Sequence, residues 1–270
     1  MTSAFHFHAG DIPLLVSMPH AGTAIAPEVA AQMLPVAQVK DDTDWHLPLL
    51  YNMLKEMGAS VLVAEYSRYV IDLNRAPDNA NLYPGQDTTG LCPVDTFHKN
   101  PLYESDRLPD PEEIARRTAV YWQPYHQQLQ TELERLLKLH GRVVLWDAHS
   151  IASVVPRFFD GRLPDLNFGT ADGRSCAPAL QQALEQCVRQ SAAAASYSHV
   201  FNGRFKGGYI TRQYGQPERG IHAVQLEMSQ CVYMEEQAPY RYRPDLAAQI
   251  QPLLAELLQT CVSFAQRGAA

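Results

Sequence analysis

Val143–Ser150 reads V-V-L-W-D-A-H-S: four apolar residues running into a carboxylate, an imidazole and a hydroxyl. A short apolar run of this kind is the signature of a buried strand. In open α/β sheets, ligands bind beyond the carboxyl ends of the strands. Asp147, His149 and Ser150 are therefore expected at the mouth of a site, as a metal centre or as part of a hydrolytic triad.

Other strand-like runs repeat the pattern. Ile12–Ser17 is apolar and is followed by M-P-H-A-G, which sets His20 at a strand end. Ala59–Ala64 reads as another strand, and so does Tyr69–Arg75 (Y-V-I-D-L-N-R). Ile221–Met228 alternates apolar and polar residues. Between them lie helical patterns: Trp45–Met57, with Thr43 or Asp44 as N-cap and Gly58 as C-cap; a helix opening at Asp110-Pro111 that Pro124 should kink and Gly141 should close; Ala177–Gln190; and Asp245–Gln266. Residues 24–40 allow only a short helix, because Pro27 and Pro35 intervene. Residues 76–109 and 156–174 read as irregular, and 197–214 as a hairpin or irregular strands. Strands alternating with helices in one continuous pattern predict a single α/β domain over residues 1–270.

The chain has 270 residues, 46% hydrophobic and 19% charged, with a net charge of −7. This composition fits a globular enzyme, and an acidic chain without a basic run argues against a nucleic-acid partner. The N-terminus lacks the basic and apolar regions of a signal peptide, and no apolar stretch approaches the ~20 residues of a membrane span. The five cysteines are widely spaced, without C-x-x-C, which suits reduced thiols in a cytoplasm. The sequence leaves the oligomeric state open.

There is no G-x-S-x-G, G-x-G-x-x-G, P-loop or H-E-x-x-H motif. Ser150 thus lacks the usual nucleophile elbow, although a triad with His20 stays open. His20 and His149 would each, taken alone, be read as packed or capping histidines. Together with Asp41, Asp42 and Asp44 they point to a metal, since catalytic zinc sites take three ligands from His and Asp/Glu. Asp44 is the expected third ligand, with Asp42 and His46 as alternatives; the plainer use of Asp44 is an N-cap. Asp147 is placed to orient His149 from behind. Glu227 is either a solvent-facing sheet residue or a general base. Asn74, Arg75 and Arg212 follow strand-like runs. They are either surface groups or a clamp for a substrate with one or two carboxylates.

Six stretches, S-M-P-H-A-G-T, D-D-T-D-W-H, V-I-D-L-N-R, D-A-H-S, G-G-Y-I-T-R-Q-Y-G and Q-L-E-M-S, together resemble the N-formylglutamate amidohydrolases. The resemblance runs over residues 5–265. It implies a mixed, mostly parallel sheet flanked by helices, related to the zinc carboxypeptidases and aspartoacylases. It also implies hydrolysis of N-formyl-L-glutamate to formate and L-glutamate, the last step of a bacterial histidine-degradation route. By that resemblance His20 and His149 are metal ligands, Glu227 the general base, and Asn74-Arg75 the pair that grips a substrate carboxylate. The carboxypeptidase H-x-x-E is absent, because residue 23 is Thr. The acidic ligand must then come from elsewhere, and Asp44 is inferred. Zinc is the expected metal, with cobalt or iron able to substitute.

Overall fold

A computed structural model describes residues 3–81, 85 and 87–267. Seven strands form one sheet: β1 (Phe5–His8), β2 (Leu14–Met18), β3 (Ser60–Ala64), β4 (Val143–Ile151), β5 (Leu166–Gly169), β6 (His199–Phe201) and β7 (Ile221–Ser229), in the order β1-β3-β2-β4-β7-β5-β6. The central strands β3, β2, β4 and β7 are mutually parallel. β1 and β5 run antiparallel to β3 and β7, and β6 runs parallel to β5. The helices are α1 (Pro27–Ala30), α2 (Leu47–Leu50), α3 (Leu54–Met57), α4 (Pro111–Arg117), α5 (Gln123–His140), α6 (Pro178–Gln190), α7 (Tyr209–Tyr214) and α8 (Pro244–Gln266).

The layering follows from side-chain alternation along the buried strands. Val144, Trp146 and Ala148 of β4 join Val224, Leu226 and Met228 of β7 in a core shared with α2, α6 and α8. Val143, Leu145, Ile221 and Ala223 face the other way and pack with Tyr125, Leu129 and Leu133 of α5 and Ile210 of α7. Continuing that second face towards the strand ends brings Asp147, His149, Gln225 and Glu227 into line. His149 stands opposite Glu227 in register.

Several expected elements form with their expected caps. Asp110 accepts a hydrogen bond from Glu113 N and starts α4. Gly58 and Gly141 close α3 and α5 in the left-handed region. Before Pro124 the helix widens into a π-turn at Thr118–Trp122, a common response where the helical ladder must absorb a misfit.

Other elements differ. The expected helix over Trp45–Met57 is broken at Tyr51–Met53, and its N-cap is His46, with φ 62°, rather than Thr43 or Asp44. Asp44 does not cap because its carboxylate meets His149 Nδ1 and the amide of Ser150. Tyr69–Arg75 is not a strand. Its amides are satisfied by turns and by a neighbouring loop, Val70 N by Ser67 O, Arg75 N by Asp72 O and Asp72 N by Leu91 O, and Asn74 N by the Asp72 side chain. The segment 156–174 contains β5. Residues 197–214 hold β6 and the helix α7 in place of a hairpin.

The loop carrying His20 is stitched to the loop after β3: Ala24 N donates to Glu65 O and Ser67 N to Ala24 O. Gly22 makes this approach possible, since a Cβ there would lie 2.4 Å from Tyr66 O. Gly22→Ala should therefore lower unfolding stability by roughly 1–3 kcal/mol, the usual cost of overpacking. Urea unfolding measures it, and an unchanged midpoint would contradict the close approach.

Candidate metal and active site

Three side chains meet at the carboxyl ends of the central strands. His20 lies just past β2, Asp44 in the turn before α2, and His149 near the end of β4. One ligand-type atom from each falls within 4.8 Å of the others, and all three residues are buried. The two imidazoles are held alike. His20 Nε2 donates to Asp72 Oδ1 at 2.7 Å, which leaves Nδ1 facing Asp44 Oδ2 at 3.8 Å. His149 Nε2 lies 3.1 Å from Asp147 Oδ2, and its Nδ1 lies 3.1 Å from Asp44 Oδ2. A histidine with one nitrogen braced by a carboxylate and the other turned inward is oriented as a metal ligand. The donor set, two imidazole nitrogens and one carboxylate, suits a divalent transition metal with room for water or substrate. Asp42 is committed elsewhere, accepting from Phe97 N, and His46 Nε2 donates to Tyr240 O.

Electrostatics favour a cation here. Asp44, Asp72, Asp147 and Glu227 are all at least nine-tenths buried around this point. Arg68, also buried, pairs with Asp72 at 2.7 Å and approaches Asp44 at 4.0 Å. Burial draws the His20 pKa down, and Arg68 adds to the effect. Burial also acts against charge on His149, but Asp147 and Asp44 together outweigh it and hold its pKa well above the usual value. Burial resists ionisation of Asp72, yet His20 and Arg68 pull its carboxyl well below the ordinary range. Glu227 is pushed up to about 8 by burial, with Asp44 adding to the rise.

Ser150 has no base. Its Oγ lies 2.7 Å from Tyr233 Oη and accepts from Gln230 Nε2, while both histidines are engaged with Asp72, Asp44 and Asp147. The serine-triad alternative therefore lacks its proton acceptor.

The cleft above the three ligands is lined by Glu227, Gln225, Asn74, Arg68, Arg75 and Arg204, among others. Phe97, Ile151, Phe158 and Phe205 supply apolar wall. Asn74 sits at the centre of the loop after β3. Its Nδ2 is 3.1 Å from His149 Nε2, and its Oδ1 accepts from Ile210 N, so it satisfies the first turn of α7. A Cβ on Gly208 would lie 2.4 Å from the Asn74 amide nitrogen. Arg212 does not line the cleft. The segment that carries it is a helix, and its Nε donates to Gly207 O. Arg68, Arg204 and Asp72 were not singled out from the sequence. Asp72 lay within V-I-D-L-N-R, between an apolar run and the Asn-Arg pair, where its reach to His20 has no local signal.

A metal held by these three residues would displace protons from His149 and Glu227. Zinc binding to metal-free protein at pH 7 should release protons and tighten as pH rises towards about 8. Calorimetry in buffers of different ionisation enthalpy reads the release directly. Binding with no proton release would contradict the electrostatics described.

Comparison with known proteins identifies the family. The family model for N-formylglutamate amidohydrolase matches residues 12–234. A protein of Pseudomonas aeruginosa named N-formylglutamate deformylase is 52% identical over 264 residues, covering 98% of each chain. A protein of the same name from Pseudomonas putida is 49% identical over 264 residues, covering 98% of this chain and 97% of its own. The crystal structure of an N-formylglutamate amidohydrolase from Ralstonia eutropha JMP134 superposes with a TM-score of 0.83 at 25% identity, covering 99% of this chain and all of that one. A gene product of Agrobacterium tumefaciens shares the fold, with a TM-score of 0.73 at 20% identity over 97% of this chain and 96% of its own. With the family model spanning most of the chain and half of all residues shared with full-length relatives, this protein belongs to the N-formylglutamate amidohydrolase family.

Proposed function

We propose that the protein hydrolyses N-formyl-L-glutamate to formate and L-glutamate, using one zinc ion held by His20, Asp44 and His149. Near full-length identity with two proteins named N-formylglutamate deformylase supports the substrate. The observation that carries the chemistry is Glu227 standing in register beside His149, at a buried cluster of two histidines and a carboxylate. Residues 1–270 act as one catalytic unit in this reading. The enzyme works in the cytoplasm on a small dicarboxylate, without nucleic-acid or membrane partners, in histidine catabolism. No helix among the described residues is long and apolar enough to cross a membrane.

When bound, zinc supplies Lewis acidity, which polarises the formyl carbonyl and lowers the pKa of water. Glu227 takes a proton from the attacking water as its oxygen adds to the formyl carbon. Glu227 then delivers that proton to the amide nitrogen as the C–N bond breaks, which releases formate and the amine of glutamate. Burial raises its pKa in the metal-free site, and a cation beside it would lower it again, so that the carboxylate is available to accept the proton. Arg68, fixed by Asp72 and stacked 4.7 Å from the centre of the Phe97 ring, stabilises the developing oxyanion. Arg75 and Arg204, both on the cleft wall, hold the two substrate carboxylates. Asp147 and Asp72 keep the two imidazoles in their ligand orientation. Phe97 and Phe158 restrict water at the reacting carbon.

Glu227→Gln should retain metal and lose formate release by on the order of 10²-fold or more. Metal analysis paired with a formate assay checks it, and a fully active variant would remove Glu227 from the reaction. Arg75→Ala should keep its metal and raise KM for N-formylglutamate. An unchanged KM would sink the carboxylate clamp.

A further inference from the structure

The Asp72–Arg75 loop carries three groups of the site: the brace of His20, the Asn74 amide, and Arg75. It has no regular secondary structure of its own. Its backbone carbonyls are instead capped from one side by two aromatic rings. Trp122 Nε1–H donates to Arg75 O at 3.0 Å, and His126 Nε2–H donates to Leu73 O at 2.9 Å. Because a carbonyl only accepts, the His126 proton sits on Nε2, and Nδ1 accepts from Tyr214 OH at 2.9 Å. The two rings stack with centroids 3.7 Å apart. Both residues are buried, and burial holds His126 neutral, its pKa drawn down to about 3.

The helix is built to present them. Trp122 is the last residue of the π-turn and His126 lies four residues on, so both fall on one face. Tyr209 of α7 packs on both rings, 5.8 and 5.6 Å between centroids. The same α7 begins on the Asn74 side chain and ends at Tyr214 against His126. The loop, α5 and α7 are thus tied into one ring of contacts around Leu73–Arg75.

We propose that Trp122 and His126 are positioning residues, whose ring N–H groups hold the Leu73–Arg75 backbone so that the Arg75 side chain stays at the cleft. The kinetic consequence rests on the reading above, in which Arg75 grips a substrate carboxylate. The test uses the zinc-loaded full chain and three variants: Trp122→Phe and His126→Phe keep a ring but lose the donor, while His126→Gln restores one. Hydrogen exchange over residues 72–75 should speed up in both Phe variants, with β4 unchanged, and return towards the original rate in His126→Gln. KM for N-formylglutamate should rise roughly 3- to 10-fold in the Phe variants, as expected for one lost hydrogen bond, with kcat little changed. Unchanged exchange over residues 72–75 in both Phe variants overturns the proposal, as does a fall in kcat with KM unmoved. If the parent protein releases no formate, the substrate assignment falls, and the exchange measurement still decides the clamp.

Discussion

The site rests on a concentration of buried negative charge around two imidazoles. Asp44, Asp72, Asp147 and Glu227 converge where water is largely excluded, and Arg68 pairs with only part of them. Uncompensated buried charge is costly, so such a cluster persists only if protons or a cation balance it. Without a metal, protons supply the balance. His149 is pushed towards its charged form by its two aspartates, and Glu227 is pushed towards its neutral form by burial. A divalent metal on the inward-facing nitrogens would take over that role, leaving His149 as a neutral ligand and Glu227 as a carboxylate able to accept a proton.

The rest of the architecture serves to assemble this cluster. Parallel pairing of β2, β4 and β7 places their carboxyl ends side by side, and the shared register aligns Asp147 with Gln225 and His149 with Glu227. Everything else arrives on loops. Gly22 lets the His20 loop lie against the loop after β3. Asp44 is turned inward by a short, unusually entered helix. The Asp72–Arg75 loop is fixed by its own turns and by ring donors from Trp122 of the π-turn and His126 of α5. The strands set the positions of half the site, and irregular backbone carries the other half, held from outside by specific hydrogen bonds.

That division explains what could be read from the sequence. His20 and His149 were legible because each sits at or just past the end of an apolar run, a pattern that depends only on neighbours in the chain, whereas Glu227 lay in an alternating strand whose facing the sequence left open. Asp44 emerged from an acidic cluster by elimination, and its inward orientation was not visible. Arg68 and Asp72 were hidden because Tyr69–Arg75 has the composition of a strand, while its amides are satisfied by turns. The helix α7 was misread for a related reason. Tyr, Ile, Thr and Tyr favour strands, and the group that satisfies its first turn, Asn74 Oδ1, comes from another part of the chain. β5 is four residues long in a segment rich in turn formers, where length and composition gave no signal.

The proposed reaction requires His20, Asp44 and His149 to hold one metal through inward-facing donors. Anomalous diffraction at the zinc edge, on crystals of protein first stripped and then reloaded with zinc, tests it most directly. A single strong peak is expected within bonding distance of the Nδ1 atoms of both histidines and a carboxylate oxygen of Asp44, with Nε2 of each histidine still on its aspartate. A structure with no zinc between these three residues, or with zinc bound elsewhere while the histidines keep their present partners, would contradict it.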